Sequence, residues 1–281
     1  MRKLDRLGWA AGIALTAYGV KVGVRMSDAA SLAHVAERLP PGWRPAASPE
    51  VSKLYSLVSG GGEVEGRGRR FHLLYSGARL AGRAPEAGAV LGMLESDLQI
   101  YVAERAARRV FVHAGVVGWR GRAILIPGRS LSGKTTLVAE LVRAGAEYYS
   151  DEYAVLDAEG RVHPYARPLA VREGAGLAQT RRTVEEFGGR AGRRALPVGL
   201  VVVSRYERGR SFRPRRLSPG EGVLEMLANT VSARRAPGRA LAALSEVAAR
   251  TVILAGARGE ASHAAASILS GVGAAESSAR N

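Results

Sequence analysis

The chain has 281 residues, of which 47% are hydrophobic, 23% charged and 6% aromatic. That is ordinary usage for a folded protein, so a disordered chain is excluded, and the length suffices for one large domain or a small domain beside a larger one. Forty-one Lys and Arg against twenty-five Asp and Glu leave a formal net charge of +16, while the absence of cysteine excludes disulfides, thiol catalysis and thiolate metal sites.

A charge of that sign invites a nucleic-acid reading, because clustered cations release counterions from a phosphate backbone. The arginines instead fall singly or in small groups near 67–70, 105–109, 190–194, 205–216 and 234–239, without the interleaved aromatics of a stacking platform. We read the basicity as background arginine usage with a preference for acidic ligands, and nucleic acid is not an expected partner. Five histidines, His34, His72, His113, His163 and His263, show no metal-ligand spacing.

In chain order, "MRKLDRLGWAAGIALTAYGV" puts basic residues before an apolar run, yet Asp5 sits at its mouth and no small-residue cleavage site follows Val20. The run is also too short to span a bilayer. It is expected to be a first strand continuing through "YGVKVGVRM", in a cytoplasmic protein without a membrane anchor. "DAASLAHVAERL" has helical spacing opened by Asp28, and "PPGW" ends it. "KLYSLVS" and "RRFHLLYSG" read as strands flanking a hairpin turn at Gly60, Gly61 and Gly62. "PEAGAVLGMLESDLQIYVAERAARR" places Leu91, Leu94, Leu98, Tyr101 and Val102 at helical intervals. These elements form a small α+β domain, 1–108, and a second domain, 109–281, follows.

The second domain opens with the apolar strands "VFVHAGVV" and "GRAILIPG", joined by a turn at 118–121. "TTLVAELVRAG" is a helix ended by Gly145. "AEYYSDEYAVLD" and "RVHPYARPLAV" each read as one strand, "RRTVEEFGGRAGRRA" as a mobile surface segment, and "LPVGLVVVS" as the most strand-like run of the chain. Helices "EGVLEMLANTV" and "RALAALSEVAA", a strand "TVILAG" and a helix "EASHAAASIL" close the sequence.

The chemistry is concentrated in "PGRSLSGKTTL". Gly128 and Gly133 bracket four residues, Lys134 and Thr135 follow, and the whole lies between a strand and a helix, which is the Walker A or P-loop pattern. In such a loop the backbone N–H groups converge on phosphates at a helix N-terminus. The nucleotide-binding set is therefore Gly128, Arg129, Ser130, Leu131, Ser132, Gly133, Lys134, Thr135 and Thr136, with Lys134 meeting the terminal phosphates and Thr135 ligating Mg²⁺. A P-loop motor or switch should also carry an apolar strand ending in a metal-binding Asp. Here "LVVVSRYE" ends in Ser204 and Arg205, and the acidic pair is Asp151-Glu152, just after the loop's helix and the strand that follows it.

That placement resembles the catalytic domain of HPr kinase/phosphorylase, with its phosphoenolpyruvate-carboxykinase-like α/β fold. The resemblance covers residues 110–155: His113 before the loop, Gly121 in the hairpin, and "SDE" where the family has paired aspartates. A weaker likeness, "APGRALAALSEVAA", surrounds Arg239. The small N-terminal domain is similar to what precedes the kinase domain in HPr-kinase-related proteins. The resemblance implies an ATP- and Mg²⁺-dependent kinase acting on a serine-type hydroxyl of a protein or peptide. Asp151 would be the general base, His113 its support, Lys134 the phosphate contact, and Thr135, Glu152 and Asp151 the metal oxygens. Arg172 and Arg239 would contact phosphate or acceptor. Relatives of this kind act on acceptors other than HPr, including ribosomal peptide precursors such as lasso peptides, and HPr kinases are hexameric, so a homo-oligomer is compatible with the likeness. In "PLAVREG", Ala170 stands where the family has a metal-binding Glu, with Glu173 three residues on. That departure bears on a reverse phosphorylase activity more than on kinase activity. The competing reading is a P-loop NTPase or nucleotide-sensing module with no phosphoacceptor.

Overall fold

A computed structural model of the chain describes residues 2–60, 71–129, 132–172 and 179–278. Ser130, Leu131, Glu173, Gly61 and Gly62, singled out above, lie outside the described residues, as does the side chain of Arg172. The chain divides into two compact units, Met1–Arg108 and Arg109–Asn281.

The first unit contains α1 (Arg2–Asp5), β1 (Ala11–Ala17), β2 (Val20–Met26), α2 (Ser31–Ala36), β3 (Arg44–Pro45), β4 (Lys53–Val58), β5 (His72–Ser76), β6 (Arg79–Ala84) and α3 (Ala87–Arg105). The strands form one sheet in the order β3-β1-β2-β4-β5-β6. The single N-terminal strand expected from the alternation is in fact a hairpin. Tyr18 and Gly19 take φ of 50° and 82°, the left-handed pair that a two-residue turn requires, and β1 and β2 pair antiparallel on either side. Asp28 does not cap α2 directly; its carboxylate accepts from the Ala30 N–H at 3.1 Å, one step before the helix. β4 and β5 pair antiparallel as the hairpin reading requires, and β6, unforeseen, adds beyond β5. Val90, Leu91, Leu94, Leu98 and Val102 of α3 close the core with Leu15, Val22, Val24, Tyr55 and Leu74 of the sheet.

The second unit contains β7 (Val110–Trp119), β8 (Arg122–Pro127), α4 (Lys134–Arg143), β9 (Glu147–Ser150), β10 (Tyr153–Leu156), β11 (Arg161–His163), β12 (Leu169–Arg172), β13 (Gln179–Arg182), β14 (Leu196–Tyr206), β15 (Arg215–Arg216), α5 (Pro219–Leu227), α6 (Pro237–Arg250), β16 (Val252–Arg258) and α7 (Ala261–Ser278). Its main sheet runs β11-β10-β7-β8-β14-β16-β15, with β9 also on β7. β8, β14 and β16 are mutually parallel. Successive side chains of a strand point to opposite faces, so Ile124 and Ile126 meet α4 and α7 while Ala123 and Leu125 meet α6. A sheet buried on both faces reads as continuous apolar sequence, which is why "AILIP" and "GLVVV" look as they do.

Three expectations fail in this unit. "AEYYSDEYAVLD" is two strands, β9 and β10, interrupted at Asp151 and Glu152. "RVHPYARPLAV" is likewise split into β11 and β12, the latter forming a two-stranded ribbon with β13. "RRTVEEFGGRAGRRA" is not a loose surface segment: the Tyr148 N–H donates to the Arg190 carbonyl at 2.9 Å, the Gly192 N–H donates to the Tyr148 carbonyl at 2.8 Å, and Val184 and Phe187 are buried against α4. Among the described residues no helix is long and apolar enough to cross a membrane.

Candidate functional site

The loop after β8 turns into α4 through Gly133, whose φ of +78° lies in the left-handed region and whose absent Cβ leaves room for the Arg258 guanidinium, 2.6 Å from where that atom would stand. At its start the Gly128 N–H donates to the His113 carbonyl at 3.1 Å, tying the loop to β7. Lys134 Nζ donates to the Arg129 carbonyl at 2.6 Å. Gly115 lets α4 lie close on β7, since a Cβ there would stand 2.6 Å from Val138 Cγ2. Thr136 is exposed, whereas Thr135 is half-buried and turned inward.

The acidic pair sits on a corner that β7 builds. Val116 of β7 pairs with Ser150 and His113 pairs with Tyr153, so both flanks of the corner lie on the same strand. Ser150 is buried, and its Oγ accepts the N–H groups of Glu152 at 3.1 Å and Tyr153 at 2.9 Å, which caps the turn from inside. The Ala114 N–H donates to the Glu152 carbonyl at 3.1 Å.

This corner aims the Asp151 carboxylate at the head of α4. Thr135 Oγ1 donates to Asp151 Oδ2 at 3.0 Å, and Tyr148 Oη donates to Asp151 Oδ1 at 2.8 Å, the same phenol lying 2.9 Å from the Arg167 carbonyl oxygen. Burial pushes the Asp151 carboxyl above the usual carboxylate range, opposed by hydrogen bonds from Tyr148, Thr135 and the backbone of Asp151 itself and Ala170. Lys134 is pushed down by burial, opposed by the charges of Asp151 and Glu152. His113 is pushed below the ordinary imidazole range by burial and by Lys134, opposed by a hydrogen bond to the Glu152 backbone. Its ring packs on Tyr153 with centroids 4.7 Å apart.

His113, Lys134, Thr135, Asp151 and Glu152, drawn from β7, α4 and the β9–β10 corner, are thus brought to one place. Ala170 of β12 also reaches it, through its backbone. Arg172 ends β12, and Arg239 lies exposed in the first turn of α6. Among the described residues no group of three or more His, Cys, Asp or Glu could hold a metal ion. The donors that are present, the Thr135 hydroxyl and two carboxylates, are hard oxygens, which suit Mg²⁺ completed by phosphate oxygens.

Two participants escaped the sequence reading. Tyr148 looks like one more apolar strand residue, and only the broken strand turns its hydroxyl to Asp151. Arg258, 2% exposed at the end of β16, donates through Nη2 to the Gly133 carbonyl at 3.0 Å and more loosely to that of Ser132 at 3.4 Å. It backs the loop with a buried cation. Its sole sequence signal is an arginine closing an otherwise apolar strand.

No family model matches the chain. Curated proteins similar to it include the HPr kinase/phosphorylases of Cupriavidus necator, 33% identical over 164 residues, and of Ralstonia nicotianae, 32% identical over 164, each alignment covering 56% of this chain and 50% of the relative. The HPr kinase/phosphorylase of Nitrosomonas europaea is 30% identical over 168 residues, 56% of this chain and 51% of the relative. The chain spans about half the length of the curated relatives it matches. Over little more than half of its residues, then, this chain is similar to HPr kinase/phosphorylases.

Proposed function

We propose that the chain is an ATP-dependent kinase of the HPr-kinase type, with a P-loop catalytic domain at 109–281 behind a small α+β domain. It transfers the γ-phosphoryl group to a serine-type hydroxyl of a protein or peptide. The observation that carries the reading is the Asp151 carboxylate, fixed at 3.0 Å from the Thr135 hydroxyl of the phosphate loop by a corner built for it. A general base must stand within hydrogen-bond reach of the proton it takes, beside the phosphate under attack.

In this reading the loop N–H groups and Lys134 hold the β- and γ-phosphates of ATP. Thr135 and Glu152, with Asp151 alongside, are the residues that would hold Mg²⁺, and the ion when bound supplies neutralisation of phosphate charge. The acceptor hydroxyl gives its proton to Asp151 as its oxygen bonds to Pγ. The bond from Pγ to the β-bridging oxygen breaks, and ADP leaves with the electron pair. Tyr148 and Thr135, one on each carboxylate oxygen, keep the base oriented. Ala170 contributes a backbone N–H and no carboxylate, which favours the forward direction over phosphorolysis.

Incubation with ATP labelled at the γ-phosphate and serine-bearing peptides and carrier proteins tests this. Label on a serine is expected. Asp151→Asn should retain ATP binding and lose transfer. Label found only as free phosphate would favour the competing NTPase reading, and an Asp151→Asn variant with undiminished transfer would remove the base.

A further inference from the structure

Because β8, β14 and β16 are parallel, they deliver their C-terminal ends to one edge of the sheet, the edge where the phosphate loop begins. Ligands of open α/β sheets bind at such edges. β14 leaves there into "RYERGRSFRPRR", residues 205–216, six arginines against one glutamate. The segment is an ordered strap. The Glu207 N–H donates to the Arg258 carbonyl at 2.8 Å, Tyr206 Oη donates to Glu260 Oε1 at 3.1 Å, and Arg215 and Arg216 return as β15 alongside β16. Arg258 in turn bonds the loop carbonyl of Gly133 at 3.0 Å, so the strap is two contacts from the phosphate cradle.

Its charge is in excess of its partners. Glu207 meets both Arg205 at 2.6 Å and Arg210 at 3.2 Å, whose side chains are 83% and 69% exposed. Pairs that exposed hold little energy and yield readily to another anion. Arg208, Arg213 and Arg216 are exposed and make no ion pair among the described residues. Phe212 packs into the core and Tyr206 is held through its hydroxyl, so the strap lacks the successive free rings on which nucleic-acid bases stack.

We propose that the 205–216 strap is the docking surface for an acidic segment of the phosphoacceptor, a proposal that rests on the kinase reading above. The Asp151 corner lies on β7, and β7, β8 and β14 are consecutive in the sheet. At about 4.8 Å per strand across β10, β7, β8 and β14, and about 3.3 Å per residue for the three residues by which Arg205 lies beyond the level of the corner on β14, the strap begins roughly 15–20 Å from the base. An extended chain covers that in about five or six residues, so the acidic residues stand about that far from the serine.

The test uses two synthetic peptides, each with one serine, carrying glutamates or lysines at those positions. We expect kcat/KM for the acidic peptide to exceed that for the basic one by about tenfold or more, with the advantage shrinking as salt rises. The double substitution Arg208→Glu/Arg213→Glu, on exposed side chains away from the catalytic cluster, should abolish the preference and leave KM for ATP unchanged. Equal use of both peptides by the wild type, or a preference surviving the double substitution, overturns the proposal. Anisotropy of the labelled acidic peptide separates docking from catalysis. Binding lost in the double variant supports the strap even where no phosphoryl is transferred, an outcome that counts against the kinase reading alone. An oligothymidine that displaces the acidic peptide at physiological salt and binds more tightly overturns the assignment in favour of nucleic acid.

Discussion

Replacing Tyr148 by phenylalanine removes one oxygen and leaves the ring buried in place. That oxygen donates to Asp151 Oδ1 at 2.8 Å, leaving Oδ2 to the Thr135 hydroxyl at 3.0 Å. A hydrogen bond to a charged group contributes roughly 1.5–3 kcal/mol. If the whole of that is expressed in the base's orientation and ionisation, kcat falls by about 10- to 150-fold. ATP affinity should stay within a factor of about two, because among the described residues the Tyr148 hydroxyl bonds Asp151 and the Arg167 carbonyl and neither the loop backbone nor Lys134. The Arg167 carbonyl also loses the phenol 2.9 Å away, so some loss of thermal stability accompanies the kinetic effect. Single-turnover transfer from labelled ATP, with calorimetric ATP binding on the same sample, separates the two. An unchanged single-turnover rate would refute the role given to the phenol, and so would lost ATP binding with normal chemistry in the residual complex.

Two other positions give contrasting outcomes. Arg258→Gln should weaken ATP binding by about tenfold or more, because the Gly133 and Ser132 carbonyls lose a charged donor, and Arg258→Lys should recover part of it. A folded Arg258→Gln protein with wild-type ATP affinity by calorimetry would show that the loop needs no backing cation. Glu221 has its pKa held at about 2, chiefly by the Ser218 N–H and hydroxyl in the capping box of α5, with Arg215 alongside. Its folded pKa lies below the ordinary 4.5, so its contribution to stability is present above that value and fades as pH falls toward 2. Urea midpoints should therefore fall more between pH 5 and pH 2 for the wild type than for Glu221→Gln, and parallel curves would refute the coupling.

The loop before α4 is legible because its pattern is local: consecutive residues supply the glycines, the lysine and the helix start. The acidic pair is legible for a related reason, since one short helix and one strand separate it from the loop. What escaped depends on contacts distant in sequence or on breaks inside apolar runs. Alternation continues through Tyr18-Gly19, and apolar residues resume directly after Asp151-Glu152, so local pattern alone joins strands that the backbone divides. Arg258 reaches Gly133 across 125 residues, and no local pattern encodes that meeting. The segment "RRTVEEFGGRAGRRA" misleads by its polarity, although Val184 and Phe187 at a helical interval supply the buried contacts. In each case the missing information is tertiary packing, which overrides local preference.

The β9–β10 break also makes β7 a ruler. Ser150 and Tyr153 are pegged to Val116 and His113, three positions apart on both strands, so the span carrying Asp151 is measured out on each side. An inserted residue there has no slack to spread into; it would bulge outward at the corner, both ladders would keep their rungs, and the carboxylate would swing off Thr135 in a protein that still folds. Length at this spot is thus as much a part of the chemistry as the identity of the acid.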